Sequence, residues 1–173
     1  MNSKILKTKN TLREALFTLI SAKALDEITV SELCAKARIN RTTFYKYYAL
    51  PADVLREYFK ELNDSVLGQI NITYSASLRE DLYAKMLHIC KVYYDNRKLM
   101  QIYVNNIQDI MPLLTNAITS NLAGGLRENS LVFFIAGGVA SLIMQWALSG
   151  FAMAPQEIST ILADYVCCLQ PDN

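Results

Sequence analysis

The chain has 173 residues, 52% of them hydrophobic and 19% charged, which suits one or two small domains with a sizeable core and excludes disorder. The apolar excess suggests surface covered by a partner. A net charge of +1 conceals an asymmetry: residues 1–60 carry eleven Lys or Arg against six acids, a balance of +5, and the remainder six against ten, a balance of −4. This split implies an N-terminal region that meets a polyanion and a C-terminal region that does not.

Residues 1–8 have little periodicity and read as a flexible basic arm. From Lys9, apolar residues at Leu12, Ala15, Leu16, Leu19 and Ile20 form one helical stripe. The segment from Leu25 to Thr29 breaks it, and Thr29 or Ser31 can cap a second helix that runs from about Val30 to Ala37. After the turn Arg38-Ile39-Asn40, Asn40 is a good N-cap for a third helix from Arg41 to about Tyr48. Helical spacing puts Arg41, Phe44 and Tyr48 on a side that can be buried. The other side presents Thr42, Thr43, Lys46 and Tyr47, a mixture suited to the polar edges and phosphates of a DNA groove. Two short helices joined by about three residues, the second capped and polar on its outer face, make a helix-turn-helix signature.

Pro51 is placed for the first turn of a fourth helix, to about Leu67, with Asp53 near its positive end. The polar, small segment from Gly68 to Ser77 is the best boundary candidate by composition. Leu78 to Tyr94 reads as a long helix with Leu82, Met86, Ile89, Cys90 and Tyr93 inward, and Arg97 to Asn106 and Asp109 to Leu122 as two more. After the break at Ala123-Gly124-Gly125, Leu131 to Leu148 is an apolar run of membrane-spanning length. Ser141, Gln145, the pair Gly137-Gly138 and the absence of flanking basic clusters argue against a span. A helix covered by a second protein chain is the competing account. A last helix starts at Pro155 and can pair with the preceding one and their symmetry mates in a four-helix interface. Its candidate residues are Phe134, Val139, Leu142, Ile143, Trp146, Ile158, Ile161, Leu162 and Tyr165.

Other chemistries have little to stand on. Cys34, Cys90, Cys167 and Cys168 have no C-x-x-C spacing, and His88 is the only histidine, so no metal site is expected. Cys34 and Cys90 read as buried hydrophobes in a reducing cytosol, and the N-terminus has no apolar h-region, so a cytoplasmic, membrane-free protein is expected. With no phosphate-binding glycine loop and no paired carboxylates on an apolar helix face, neither an enzyme nor a cofactor is expected.

The helix Thr11 to Lys23, the segment Ile-Thr-Val-Ser-Glu-Leu-Cys-Ala-Lys-Ala at 28–37 and the segment Ile-Asn-Arg-Thr-Thr-Phe-Tyr-Lys-Tyr-Tyr at 39–48 together resemble the DNA-binding domain of the TetR family of bacterial transcriptional regulators. The resemblance implies that Arg41, Thr42, Thr43, Lys46 and Tyr47 lie at or in the major groove, that Tyr45 and Thr29 contact phosphates, and that Phe44 and Tyr48 are core positions. One departure is Pro51, where the family usually has a lysine that approaches the DNA backbone; backbone amides at this helix end, or Lys7 and Lys9, are the groups left to substitute. More weakly, the stretch from Phe133 to Ile158 is similar to a short-domain subset that includes regulators associated with dihydroxyacetone kinase genes. This implies a homodimer through the last two helices and, in most members, a ligand cavity in the C-terminal core.

The expectation is an all-α protein: an N-terminal arm and three-helix DNA-binding domain over 1–50, then a linking helix and a helical ligand-binding and dimerisation domain over 51–173. A homodimer would bind a near-palindromic double-stranded DNA operator, most simply as a repressor, and a small-molecule effector would shift the separation of the recognition helices. Candidate cavity residues are Tyr83, Met86, His88, Tyr93, Tyr103, Met111 and Trp146, each more simply read as plain core. The alternative is a regulator without a small-molecule ligand, acting as an activator or through a protein co-activator.

Overall fold

A computed structural model describes residues 3–67, 78–106, 110–119 and 130–169, and all the regular elements among them are helical. The chain divides into two compact units, Met1–Glu61 and Leu62–Asn173.

The first unit contains α1 (Ser3–Ile20), a 3-10 turn at Leu25–Glu27, α2 (Val30–Ala37), α3 (Arg41–Phe44) and most of α4 (Pro51–Leu67). Leu12, Leu16, Leu33, Phe44 and Leu55 are fully buried, and each such side chain contributes about 1.5–3 kcal/mol relative to exposure. The expected arm is a correction: α1 begins at Ser3, not near Lys9. Ser3 to Lys23 contains no Gly or Pro, and the half-buried Ile5 and Thr8 extend the stripe of Leu12 and Leu16 by about two turns.

The third helix is shorter than its periodicity suggests. Regular α-structure ends at Phe44, and 45–47 form a turn in which the Tyr47 N–H bonds the Phe44 carbonyl at 2.9 Å, an i→i−3 closure. Arg41 does not share the buried side with Phe44 and Tyr48; it is exposed. A helix of one turn buries what lies beneath its end and leaves its first residue outside.

The second unit holds the end of α4 with α5 (Leu78–Asp95), α6 (Arg97–Asn106), α7 (Ile110–Thr119), α8 (Ser130–Leu148) and α9 (Pro155–Cys168). Helix α5 packs on α9, while α6, α7 and α9 pack on α8. All five residues expected inward on α5 are buried. The polar segment 68–77, the Ala123-Gly124-Gly125 break and the flanks expected for α7 lie outside the described residues.

The α8–α9 corner has a specific device. Gly150 (φ +78°) and Phe151 (φ +59°) are left-handed, and their N–H groups bond the Ala147 and Trp146 carbonyls at 3.1 and 2.9 Å, a Schellman closure. Phe151 meets the Trp146 ring edge-on at 4.7 Å, and the indole N–H donates to the Met153 carbonyl at 2.9 Å. Helix α8 buries one stripe, Ala136, Val139, Ala140, Ile143, Trp146 and Ala147. It is long and apolar enough to cross a membrane, by length and composition alone.

Candidate DNA-binding interface

The helix-turn-helix is fixed by two caps. Thr29 Oγ1 accepts the Glu32 N–H at 3.2 Å, and Glu32 Oε2 accepts the Thr29 N–H at 3.0 Å, a complete capping box at the start of α2. Lys23 donates to the other Glu32 oxygen at 2.6 Å. Hydrogen bonds from Lys23 first, then from the Thr29 backbone and hydroxyl, bring the Glu32 carboxyl down to about 2. At α3, Asn40 Oδ1 accepts the Thr43 N–H at 2.7 Å, as the sequence suggests.

The end of the motif is tied to α1 and α4 through Glu57, which accepts from Lys9 Nζ at 2.5 Å and from the Tyr48 hydroxyl. Burial raises the Glu57 carboxyl, but these two hydrogen bonds together with the positive charges of Lys9 and Arg13 outweigh it and leave it lowered. Burial and the bond to Glu57 push the Tyr48 phenol up, so it stays a donor. The sequence pattern marks neither Lys9 nor Glu57 as a partner of Tyr48; they lie 39 and 9 residues away, and no local spacing rule connects all three.

These pairs sort the cations of the first unit. Lys9, Arg13, Lys23 and Arg56 are held by Glu57, Glu61, Glu32 and Asp53. By contrast, residues 33–52 contain four cations, Lys36, Arg38, Arg41 and Lys46, and no acid. All four are exposed, and none forms an ion pair with a described residue. Thr42 and Tyr45 are exposed with them, Tyr45 at 59%, while Thr43 and Tyr47 are half-buried. The residues expected to contact the groove therefore lie on or beside α3, bordered by positive charge without a counter-charge. Such a surface can take phosphate oxygens by charge-assisted hydrogen bonds and base edges through its hydroxyls.

Thr29 is exposed, but its hydroxyl proton is committed to Glu32 Oε2 at 2.8 Å, so it is available to a phosphate only if the box opens. The groups that could substitute at Pro51 are partly occupied as well. Asp53 Oδ2 accepts the Ala49 and Leu50 N–H groups, both at 2.9 Å, and Lys9 is held by Glu57. Lys7 is exposed.

The other candidate residues lie in the second unit. Met86, Tyr93, Tyr103 and Trp146 are buried, Tyr83 and Met111 are half-buried, and His88 is exposed. The Tyr93 hydroxyl donates to Asn63 Oδ1 at 2.9 Å, and the Trp146 N–H is satisfied at Met153, so both polar groups serve the core. A cleft of about 200 Å³ is lined by Asp95, Asn96, Arg97, Lys98 and Leu99 and involves none of the seven. Of the residues expected at a dimer interface, Val139, Ile143, Trp146, Ile158 and Leu162 are buried in their own chain. Leu142 and Ile161 are half-buried, and Phe134 and Tyr165 are 67% and 58% exposed. Cys34 and Cys90 are buried, and burial pushes the Cys90 thiol up to about 11; Cys168 is exposed.

No protein-family model matches the sequence, and no curated protein matches it. Solved structures do match. The dihydroxyacetone kinase operon activator DhaS superposes with a TM-score of 0.64 at 14% identity over 93% of this chain and 94% of its own. A TetR transcriptional regulator from Streptococcus agalactiae 2603V gives 0.63 at 17% identity, over 94% and 95%. The TetR family repressor AlkX from Dietzia sp. strain DQ12-45-1b, implicated in biodegradation of n-alkanes, gives 0.58 at 15%, over 94% and 97%. Across nearly its whole length, this chain has the all-helical fold of the TetR-family regulators.

Proposed function

We propose that the protein is a DNA-binding transcriptional regulator, not an enzyme, that works in the cytoplasm as a homodimer on a near-palindromic operator. The observation that carries this reading is the acid-free, cation-bearing surface of 33–52 around a capped one-turn helix. Arg41, Thr42, Thr43, Lys46 and Tyr47 enter the major groove, with Thr42, Thr43 and Lys46 choosing bases. Tyr45 contacts a phosphate, as does Thr29 once its box opens. Gel-shift titration tests this docking. Lys46→Ala should weaken operator binding by about 1–3 kcal/mol and relax base preference, and Tyr45→Ala should weaken binding to all sequences alike. Wild-type affinity in both variants would rule the docking out.

The homodimer forms through α8 and α9. Phe134, Leu148, Tyr165 and Leu169 are large exposed hydrophobics on these helices and just after α9, and Leu142 and Ile161 are half-buried. A Cβ built on Gly137 or Gly138 meets nothing within 4 Å among the described residues, which suits the close approach of a partner helix. Two subunits would place their recognition helices about 34–36 Å apart on successive major grooves. A small-molecule effector in the second unit would shift that separation and thereby repress or release the operator.

A second reading is a regulator without a small-molecule ligand, acting as an activator or with a protein co-activator. The internally satisfied Tyr93 and Trp146 and the exposed His88 favour it, and one structural neighbour is named an operon activator. A metabolite library screened by thermal shift separates the two: a saturable rise in Tm favours the effector.

A further inference from the structure

We propose that Arg38 is a phosphate-contacting residue of the DNA interface, presented by a left-handed turn between α2 and α3; this deepens the DNA-binding reading and depends on it. Arg38 has φ 54° and ψ 43°, and, besides Phe151, it is the only non-glycine with positive φ among the described residues. Its N–H bonds the Ala35 carbonyl at 3.2 Å, and the Ile39 N–H bonds the Cys34 carbonyl at 3.0 Å. That pair of bonds is a Schellman closure with Arg38 at the position where glycine is commonest, because a Cβ there crowds the backbone.

The two left-handed non-glycine residues differ in what their side chains do. Phe151 is buried against Trp146, so packing explains it. Arg38 is exposed and makes no side-chain hydrogen bond or ion pair with a described residue. The protomer would fold at least as well with glycine, so its own contacts do not account for a charged side chain in this conformation. Strain without internal compensation points to a use outside the fold.

The surroundings indicate which use. Arg38 lies two residues before the Asn40 cap of α3, amid Lys36, Arg41 and Lys46 and in the 20-residue stretch without an acid. The turn holds its backbone at a fixed place relative to the first residue of the recognition helix. A guanidinium there can grip two oxygens of one phosphate in a fork. It lies in the link and not on α3, so it sets the docking register and leaves base choice to α3.

The test uses the full-length protein and a duplex enriched by the wild type from a random pool. Arg38→Gly, Arg38→Asn and Arg38→Lys are compared with wild type by fluorescence anisotropy over a salt series, and each is melted without DNA. Glycine and asparagine both accept the left-handed turn without the charge, so both should bind roughly five- to tenfold more weakly. The loss should be the same on the selected duplex and on mismatched ones, with a salt slope smaller by about one. Lysine should keep the slope near wild type. Without DNA, the glycine variant should melt about 2 °C higher or more, which excludes damage to the fold as the cause. Wild-type affinity and slope in the glycine and asparagine variants overturn the proposal, as does a loss confined to one base pair. If the wild type enriches no duplex, the DNA-binding reading itself falls, an outcome distinct from either.

Discussion

Glu32 accepts three hydrogen bonds, from the Thr29 N–H, the Thr29 hydroxyl and the Lys23 ammonium, and its carboxyl is depressed from 4.5 to about 2. A depressed carboxyl contributes stability that is fully present above its unfolded value. The contribution is lost as pH falls from about 4.5 through about 2. Glu57, lowered by Lys9 and Tyr48 against its burial, acts in the same direction. We therefore expect chemical-denaturation stability to fall on acidification below about pH 4.5, and Glu32→Gln to flatten part of that limb. An identical acid limb in the variant would contradict the box. The Asn40 cap was legible in the sequence because it depends on a spacing of three residues; at α2 the sequence left the cap open between Thr29 and Ser31, and the Glu32 bonds select Thr29. The Lys9–Glu57–Tyr48 cluster joins positions up to 48 residues apart, and its partners are chosen by how α1, α4 and the end of the helix-turn-helix pack. The left-handed Arg38 was hidden for another reason: glycine usually marks such a turn, and here it is absent.

Among the elements, α2, α4, α6 and the start of α9 follow their sequence reading closely, and Thr29, Pro51 and Pro155 punctuate the chain where α2, α4 and α9 begin. Helix α1 exceeds its expected start because burial of Ile5 and Thr8 was not visible in a segment dominated by polar residues. Helix α3 falls short because Tyr48 is drawn to Glu57 and the chain turns toward Pro51 before a second helical turn is complete. A one-turn helix depends heavily on its cap. Asn40→Ala removes the bond to the Thr43 N–H and should cost about 1 kcal/mol in urea denaturation. On the proposed function it should also weaken operator binding, since Thr42 and Thr43 lose their fixed presentation. Full stability in the variant would show that the cap is dispensable.

For the whole molecule, the apolar excess has a physical location. Helix α8 buries one stripe in its own chain and leaves Phe134 and Leu148 exposed; Tyr165 is exposed on α9 and Leu169 just beyond it. The sequence indicated that these helices are more apolar than one chain requires, but it could not separate residues that fill the protomer from those left for a partner. Trp146 and Ile143 are buried in the protomer, while Phe134 and Tyr165 are exposed, and on the proposed dimer these two meet the partner. On the proposed dimer, Phe134→Glu with Tyr165→Glu should yield a folded monomer in sedimentation velocity, because both side chains are solvated in the isolated chain. A dimer unchanged by the pair would place the interface elsewhere. The central claim is that this fold reads DNA as a symmetric pair, and random-pool duplex selection with the purified full-length protein tests it most directly. A symmetric pair should enrich a near-palindrome whose half-sites are centred about one helical turn, or a multiple of it, apart. Enrichment of no duplex, or only of sites without two-fold symmetry, would contradict it.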